Sequence, residues 1–419
     1  MQTKVWLIEF RVKNFLSIQD EQILSLVASS QKEHKSNTFE VENEKFSLLK
    51  SVAIYGANAA GKSNLIKAIV TMKTLVTKNN QRGDKLPITP FLLGNNEKEP
   101  TEFEVSFILH STRYRYGFGV TRERIVEEWL YAYPNGREQE WFVRVYDEKD
   151  DKDKYKFGKN FLGEKELWKN ATRENALFLS TAIQLNSRQL EPVFDWFKFI
   201  NISLIGGFGN WLDISIDAFK NNPQEILDYL KRADLDIENL KIIEKDVEID
   251  NLPFGIPSEL REIIAKSNNV KIKQVDEIKT THLNQQGKPV DFNMNIESDG
   301  TREFFKFLGP IFDTLIKGKI LVIDELHNHL HPAMTRFIIN LFHNEKINTK
   351  NAQLIFTTHE TSVLNKDIFR KDQIYFCEKQ NKATKIYSLS DFKGLRDNID
   401  YEKSYLLGRF GAIPILDEI

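Results

Sequence analysis

A single cysteine, Cys377, in 419 residues excludes an intramolecular disulfide and a cysteine-based metal site, and it suits a reducing compartment. Its place in the apolar stretch Ile374 to Cys377 suits core packing rather than catalysis. No window approaches the ~18 apolar residues that span a bilayer, and the first ten residues carry a lysine and a glutamate around a short apolar stretch. Neither export nor a membrane contact is expected, and the chain reads as cytoplasmic. Charge of neither sign dominates: Lys+Arg 58 against Asp+Glu 60 leaves a net charge of -2. That removes any global pull toward nucleic acid, although compensating acids could hide a local patch. Internal repeats, heptad arrays and low-complexity linkers are missing, as is any Ser/His/Asp or Cys/His arrangement for a nucleophile.

What is present is material for a core, with 41% hydrophobic residues and 30 Phe. The length fits one large α/β unit with an inserted lobe. Val5, Leu7 and Glu9 interleave with Trp6, Ile8 and Phe10, the period of a strand, and Val12, Phe15 and Ile18 continue the apolar pattern into a second early strand. Leu49 to Tyr55 is a short apolar run ending at a glycine, and Asn64 to Thr77 has helical spacing. From Thr101 to about Phe157 alternation returns, as in Phe103, Val105, Phe107 and Tyr114, Tyr116, Phe118, which predicts an antiparallel meander. The charge run Asp147 to Lys156 reads as a solvated hairpin loop. Trp168 to Lys271 reads as mainly helical, with Pro223 starting a short amphipathic helix that carries Ile226, Leu227 and Leu230. After Pro289, strand and helix alternate through Lys319 to Ile323, Pro332 to Phe342 and Gln353 to Thr357, which implies a mainly parallel sheet.

The segment Gly56-Ala57-Asn58-Ala59-Ala60-Gly61-Lys62-Ser63 fits the phosphate-binding pattern G-x-x-x-x-G-K-[ST] in full. A strand precedes it and a helix follows, so backbone N–H groups can face phosphate oxygens while Lys62 adds a point charge near the β and γ phosphates. Ser63 is the expected Mg²⁺ ligand, and Asn64 opens the helix beside the nucleotide. Downstream, Asp324 and Glu325 end a hydrophobic strand, where charges are costly without a cation or bound water. Asp324 is placed for the Mg²⁺ shell and Glu325 for orienting and deprotonating the attacking water. His359, leaving the next apolar strand, is the expected γ-phosphate sensor. Histidines at 327, 329 and 331 have the spacing of metal ligands, but the acid pair already assigns that region to Mg²⁺. Arg113 to Phe118 mixes basic and aromatic residues, and an alternating strand explains it as one polar and one apolar face.

Glu297-Ser298-Asp299-Gly300-Thr301-Arg302 precedes the acid pair by about 25 residues and resembles the ABC signature, normally L-S-G-G-Q. Glu297 stands in place of its leucine and Asp299 in place of its first glycine. With the phosphate loop, Asp324-Glu325, Leu330-His331 at the D-loop place and His359 at the switch, the chain is similar to ATPase heads of the SMC and RecF type. The opening Phe10 to Phe15, the Glu-Ser-x-Gly-Thr signature, the run Asp324 to Pro332 and the ending Gly408 to Pro414 resemble stand-alone ATPases of bacterial abortive-infection and other anti-phage systems. Gln81 is the one candidate for a Q-loop glutamine.

The resemblance implies a P-loop NTPase of the ABC-ATPase type: an α/β fold with a mixed sheet, an N-terminal antiparallel β meander and an inserted helical lobe. Its parts would be an ATPase lobe over 1–165, a helical insert over 166–275 and a second ATPase lobe over 276–419. It implies ATP and Mg²⁺ as ligands, ATP hydrolysis to ADP and phosphate, and a homodimer in which Ser298, Gly300 and Thr301 of one copy close over the γ-phosphate held by the other. Such a chain would serve as sensor or regulator of a separate effector protein. The alternative is a recombination or repair head that clamps DNA. An OLD-type nuclease is disfavoured, because only about 60 residues follow His359.

Overall fold

Ser51–Tyr55 is buried at all five positions, as a strand covered on both faces must be. The computed structural model describes residues 4–78, 81–203, 211–247, 272–395 and 399–414. Two compact units divide the chain, Met1–Phe208 with Asp313–Ile419, and Gly209–Phe312.

The first unit opens with β1 (Val5–Lys13), β2 (Gln22–Ser25), the small hairpin β3 (Thr38–Glu40) and β4 (Ser47–Leu49), then β5 (Ser51–Tyr55) and α1 (Lys62–Thr77). Next come β6 (Thr101–Leu109), β7 (Thr112–Val120), β8 (Ile125–Tyr133), β9 (Gln139–Asp147) and β10 (Lys152–Phe157). These five strands pair in order and antiparallel, with β1 and β2 added at one side to make a seven-stranded sheet. The expected meander is therefore present, and Tyr114, Tyr116 and Phe118 point into the core while Arg113 and Arg115 face outward. Those arginines stack on Tyr133 and Tyr131, 4.0 and 4.5 Å from the ring centres. Glu44 and Glu104 lie 3.5 and 3.8 Å away, so this face is charge-paired.

Residues 152–157, expected in a solvated loop, form the edge strand β10 instead. Its lysines 152, 154 and 156 face solvent and the alternate residues turn inward, where Asp153 meets Arg144 at 2.8 Å and Arg124 at 3.0 Å. A strand with polar residues on both faces mimics a charge run.

Helices α2 (Lys165–Ala171), α3 (Phe178–Gln184) and α4 (Glu191–Trp196) follow, and then β11 (Ile200–Ser203). They belong to the first unit, although the sequence reading placed them in an insert over 166–275. The cause is visible in the core: Trp196 stacks on Phe107 of the meander with ring centres 4.3 Å apart. Glu128 of β8, fully buried, accepts the Phe178 and Leu179 backbone N–H at the start of α3 and the Tyr116 hydroxyl.

The unit's second sheet has the order β11, β15 (Ile320–Ile323), β16 (Gln353–Thr357), β5, β17 (Ile374–Gln380), β18 (Ala383–Ser388). All neighbours are parallel except the β17–β18 hairpin, giving the expected mixed sheet. One core joins the two sheets through Leu7, Phe10, Met72, Val105, Trp196 and Ile355. Gln353 fastens them: its amide accepts Leu7 N–H at 2.7 Å and donates to the carbonyls of Leu7 and Leu49, each at 3.1 Å.

The second unit holds α5 (Trp211–Asn221), α6 (Pro223–Arg232), the antiparallel three-stranded sheet β12 (Asn239–Val247), β13 (Ile272–Leu283), β14 (Pro289–Asn293), and most of α7 (Asp299–Lys317). Ile226, Leu227 and Leu230 are buried on α6 as their spacing predicts. The helical expectation fails at residues 239–247, because Leu240 turns inward while Lys241 is ion-paired on the outside, a strand period. Residues 204–210 and 248–271 of the expected helical stretch lie outside the described residues.

Candidate nucleotide site

In the sheet order, β15, β16 and β5 are adjacent and parallel. Their C-terminal ends therefore deliver Asp324, His359 and the Gly56 loop to one edge, where ligands of open α/β sheets bind.

The loop's shape depends on its glycines. Gly56 sits at φ 153°, and a Cβ there would lie 2.1 Å from the Cys377 carbonyl oxygen of β17. Gly61, at φ 110°, closes the loop as the cap of α1, and a Cβ there would lie 2.0 Å from Thr384 Oγ1. Ala59 takes a left-handed φ of 60° between them. The β17–β18 hairpin supports this turn from below. Cys377 Sγ and Thr384 Oγ1 both donate to the Ala60 carbonyl, at 3.4 and 2.9 Å. Thr384 also shares a hydrogen bond with Ser17 at 2.7 Å, and Asn64 Nδ2 donates to Ser17 Oγ at 2.7 Å. Burial pushes the Cys377 thiol up to about 12, which makes it an inert packing group.

Lys62 is buried, 5% exposed. Its three N–H bonds go to the Gly56 carbonyl at 2.8 Å, the Ala57 carbonyl at 3.1 Å and His359 Nε2 at 3.0 Å. An ammonium can only donate, so His359 accepts through Nε2 and carries its proton on Nδ1, a tautomer assigned from this network. Burial lowers the Lys62 pKa, and burial followed by Lys62 and His327 holds His359 down to about 4. The histidine is thus neutral at physiological pH.

Asp324 and Glu325 lie in the turn directly after β15. Asp324 is 6% exposed, and its Oδ1 accepts the Thr357 hydroxyl at 2.6 Å. The same hydroxyl accepts Glu325 N–H at 2.7 Å. Glu325 has φ 57°, a left-handed conformation rare for a non-glycine residue and found most often where function demands it. His327, unassigned by the sequence reading except as a discounted metal ligand, packs edge-on to His359 with ring centres 5.6 Å apart. Its Nδ1 lies 3.4 Å from His359 N. His331 caps the helix α8 (Pro332–His343), accepting Ala333 N–H at 3.2 Å. The donor chemistry here fits Mg²⁺: a buried carboxylate with one oxygen outside the Thr357 bond, and the Ser63 hydroxyl, are hard oxygen ligands that leave further positions to phosphates. Among the described residues no three His, Cys, Asp or Glu side chains group to hold a metal by themselves.

The C-terminal segment, absent from the spacing argument, also backs the loop. Helix α9 (Tyr401–Leu406) sets Tyr405 against Tyr55 and Phe376, and the Tyr405 hydroxyl donates to the Ala412 carbonyl at 3.0 Å. Tyr387 OH donates to the Phe410 carbonyl at 2.8 Å. Thr361, two residues past His359, donates to Glu402 of α9 at 2.8 Å.

Ser298, Gly300 and Thr301 stand at the start of α7 in the second unit. Ser298 Oγ accepts Thr301 N–H at 3.1 Å and hydrogen-bonds Thr301 Oγ1 at 2.8 Å, the geometry of an N-cap. Asp299 pairs with Arg302 one turn on. Gln81 lies in the loop after α1, where its N–H donates to Asp84 and its carbonyl accepts from Asn175. No helix among the described residues is long and apolar enough to cross a membrane.

Residues 51–365 match the family described as "AAA domain, putative AbiEii toxin, Type IV TA system". The match spans more than half of the chain and includes the loop, the acid pair and His359. No curated protein matches.

Proposed function

The chain belongs to this AAA-domain family of P-loop ATPases, and from that premise we propose that it hydrolyses ATP in a sandwich of two copies and passes its nucleotide state to a separate effector. The observation that carries the reading is the convergence of Lys62, Asp324 and His359 at the ends of three adjacent parallel strands. Lys62 exchanges its loop carbonyls for β and γ phosphate oxygens. Residues 56–64 supply backbone N–H groups to the phosphates at the N-terminus of α1. Asp324 and Ser63 would hold Mg²⁺, which when bound would neutralise phosphate charge. Glu325 takes the proton of the attacking water, held in place by its backbone bond to Thr357. His359, neutral, bonds the γ-phosphate.

The partner copy's α7 N-terminus closes the site, with Ser298, Gly300 and Thr301 aimed at the developing charge. A site completed only on pairing lets ATP control dimerisation. The family's abortive-infection and toxin–antitoxin description supports a role as the switch of a defence module. The test is steady-state hydrolysis together with light-scattering mass. ATP should double the mass of Glu325→Gln, and wild-type turnover should depend on protein concentration. A monomer that hydrolyses ATP at a concentration-independent specific rate would overturn the sandwich.

A further inference from the structure

Glu297 is one of the two residues that depart from the signature pattern, and its side chain is largely turned away from solvent. It is 14% exposed and reaches β13. There its Oε1 accepts the Thr280 hydroxyl and His282 Nε2, the latter at 2.7 Å. Thr280 and His282 are two apart on one strand, hence on one face, opposite Phe292 and Val290 of β14. The His282 ring packs on Phe292 with ring centres 5.3 Å apart.

The chain from β14 to α7 is short and held at both ends. Asn293 donates to Glu277 of β13 and accepts Asn295 N–H at 2.8 Å, which starts a single 3₁₀ turn over Met294–Ile296. Glu297 N–H then closes on the Met294 carbonyl at 3.2 Å. Ser298, the cap of α7, is the very next residue. No slack remains between the clamped carboxylate and the start of the helix.

We propose that Thr280 and His282 are positioning residues for the composite ATP site, holding Glu297 so that Ser298 and Gly300 are presented in one fixed direction. The proposal rests on the sandwich reading above. Two physical effects combine. Transition-state donors must be placed within about 0.5 Å, which a clamp of two directional hydrogen bonds provides. A carboxylate free to swing toward an incoming triphosphate would also repel it, and the two donors hold Oε1 against β13. Leucine at 297 could do neither with this strand.

The experiment compares His282→Ala, Thr280→Val, the double variant and Glu297→Leu in the full chain. Turnover should fall about tenfold or more and ATP-dependent dimerisation should weaken. Affinity of the monomer for a fluorescent ATP analogue, measured at protein concentrations too low for pairing, should stay within about twofold, because the phosphate loop lies in the other unit. His282→Gln, which keeps an N–H donor, should recover most of the turnover. Wild-type turnover in the double variant would overturn the proposal, and so would a parallel loss of nucleotide affinity and turnover, which marks general damage to the fold. If the wild-type chain does not hydrolyse ATP, the ATPase reading itself fails. If hydrolysis needs Glu325 yet ignores Thr280 and His282, only the positioning role falls.

Discussion

The Thr357 hydroxyl ties Asp324 to Glu325: it donates to Asp324 Oδ1 at 2.6 Å and accepts Glu325 N–H at 2.7 Å. One side chain on β16 thus orients both acids that leave β15. Thr357→Val removes the donor and the acceptor at nearly constant volume. Turnover should fall about 10- to 100-fold, as when an outer-shell partner of a metal ligand is lost, and the unpaired groups should cost about 1–3 kcal/mol of stability. Thr357→Ser should restore both. A Val variant with wild-type kcat would remove Thr357 from the site.

Lys62→Ala deletes the ammonium that bridges Gly56, Ala57 and His359. Titration calorimetry should show Mg-ATP affinity down by about 100-fold or more, the loss of charge-assisted bonds of about 1.5–3 kcal/mol each. Unchanged affinity would sink the phosphate-loop assignment.

Glu325→Gln keeps the shape and removes the base. Phosphate release should drop about 100-fold or more, while ATP-bound dimers accumulate on a sizing column. Turnover near wild type would mean that another residue takes the proton.

Mixing a Lys62→Ala chain with a Gly300→Asp chain tests whether the signature acts in trans. Each variant alone should be inactive, and the heterodimer should regain one composite site of two. No recovery, with heterodimers demonstrated by differential tagging, would place the whole site within one chain.

His343 sets an acid limit to stability. Burial pushes its pKa down to about 3 from 6.5, and it bonds Ser51 Oγ at 2.7 Å. A base depressed in the folded state contributes stability that is complete above 6.5 and is lost as pH falls toward 3, because only the unfolded chain takes the proton. His359, held down to about 4, has the same sign. Urea midpoints at about pH 7, 6 and 5 should therefore fall with acid, by up to about 1.4 kcal/mol per pH unit for His343 alone. His343→Gln should shallow that slope. An unchanged slope would show that His343 does not carry it.

The placement of the loop, the acid pair and His359 after core strands was legible because each follows a continuous apolar run, and such runs survive without any knowledge of neighbours. The strand Asn239–Val247 was not. Its inward Leu240 and Ile242 alternate with Lys241 and Ile243, and Ile243 stays exposed at 38%, so the period is blurred. The helices over 165–196 read correctly as helices but were assigned to the wrong unit, since only the stacking of Trp196 on Phe107 reveals where they pack. Glu297 was noticed only as a departure. Its partners Thr280 and His282 lie 17 and 15 residues away across a strand pairing, and no local spacing rule reports such a contact.

Gln353 binds Leu7 across 346 residues of sequence. For a chain made from its N-terminus on the ribosome, this sets an order of events. The backbone groups of Leu7 and Leu49 wait for an amide that emerges 346 and 304 residues later, and β5 waits equally for its sheet neighbours β16 and β17. The meander can pair as it is synthesised, because its strands are consecutive. The phosphate loop cannot take its final support until Cys377 and Thr384 arrive. A nascent or truncated chain ending before that hairpin would hold the phosphate-loop sequence without the side chains that shape its turn.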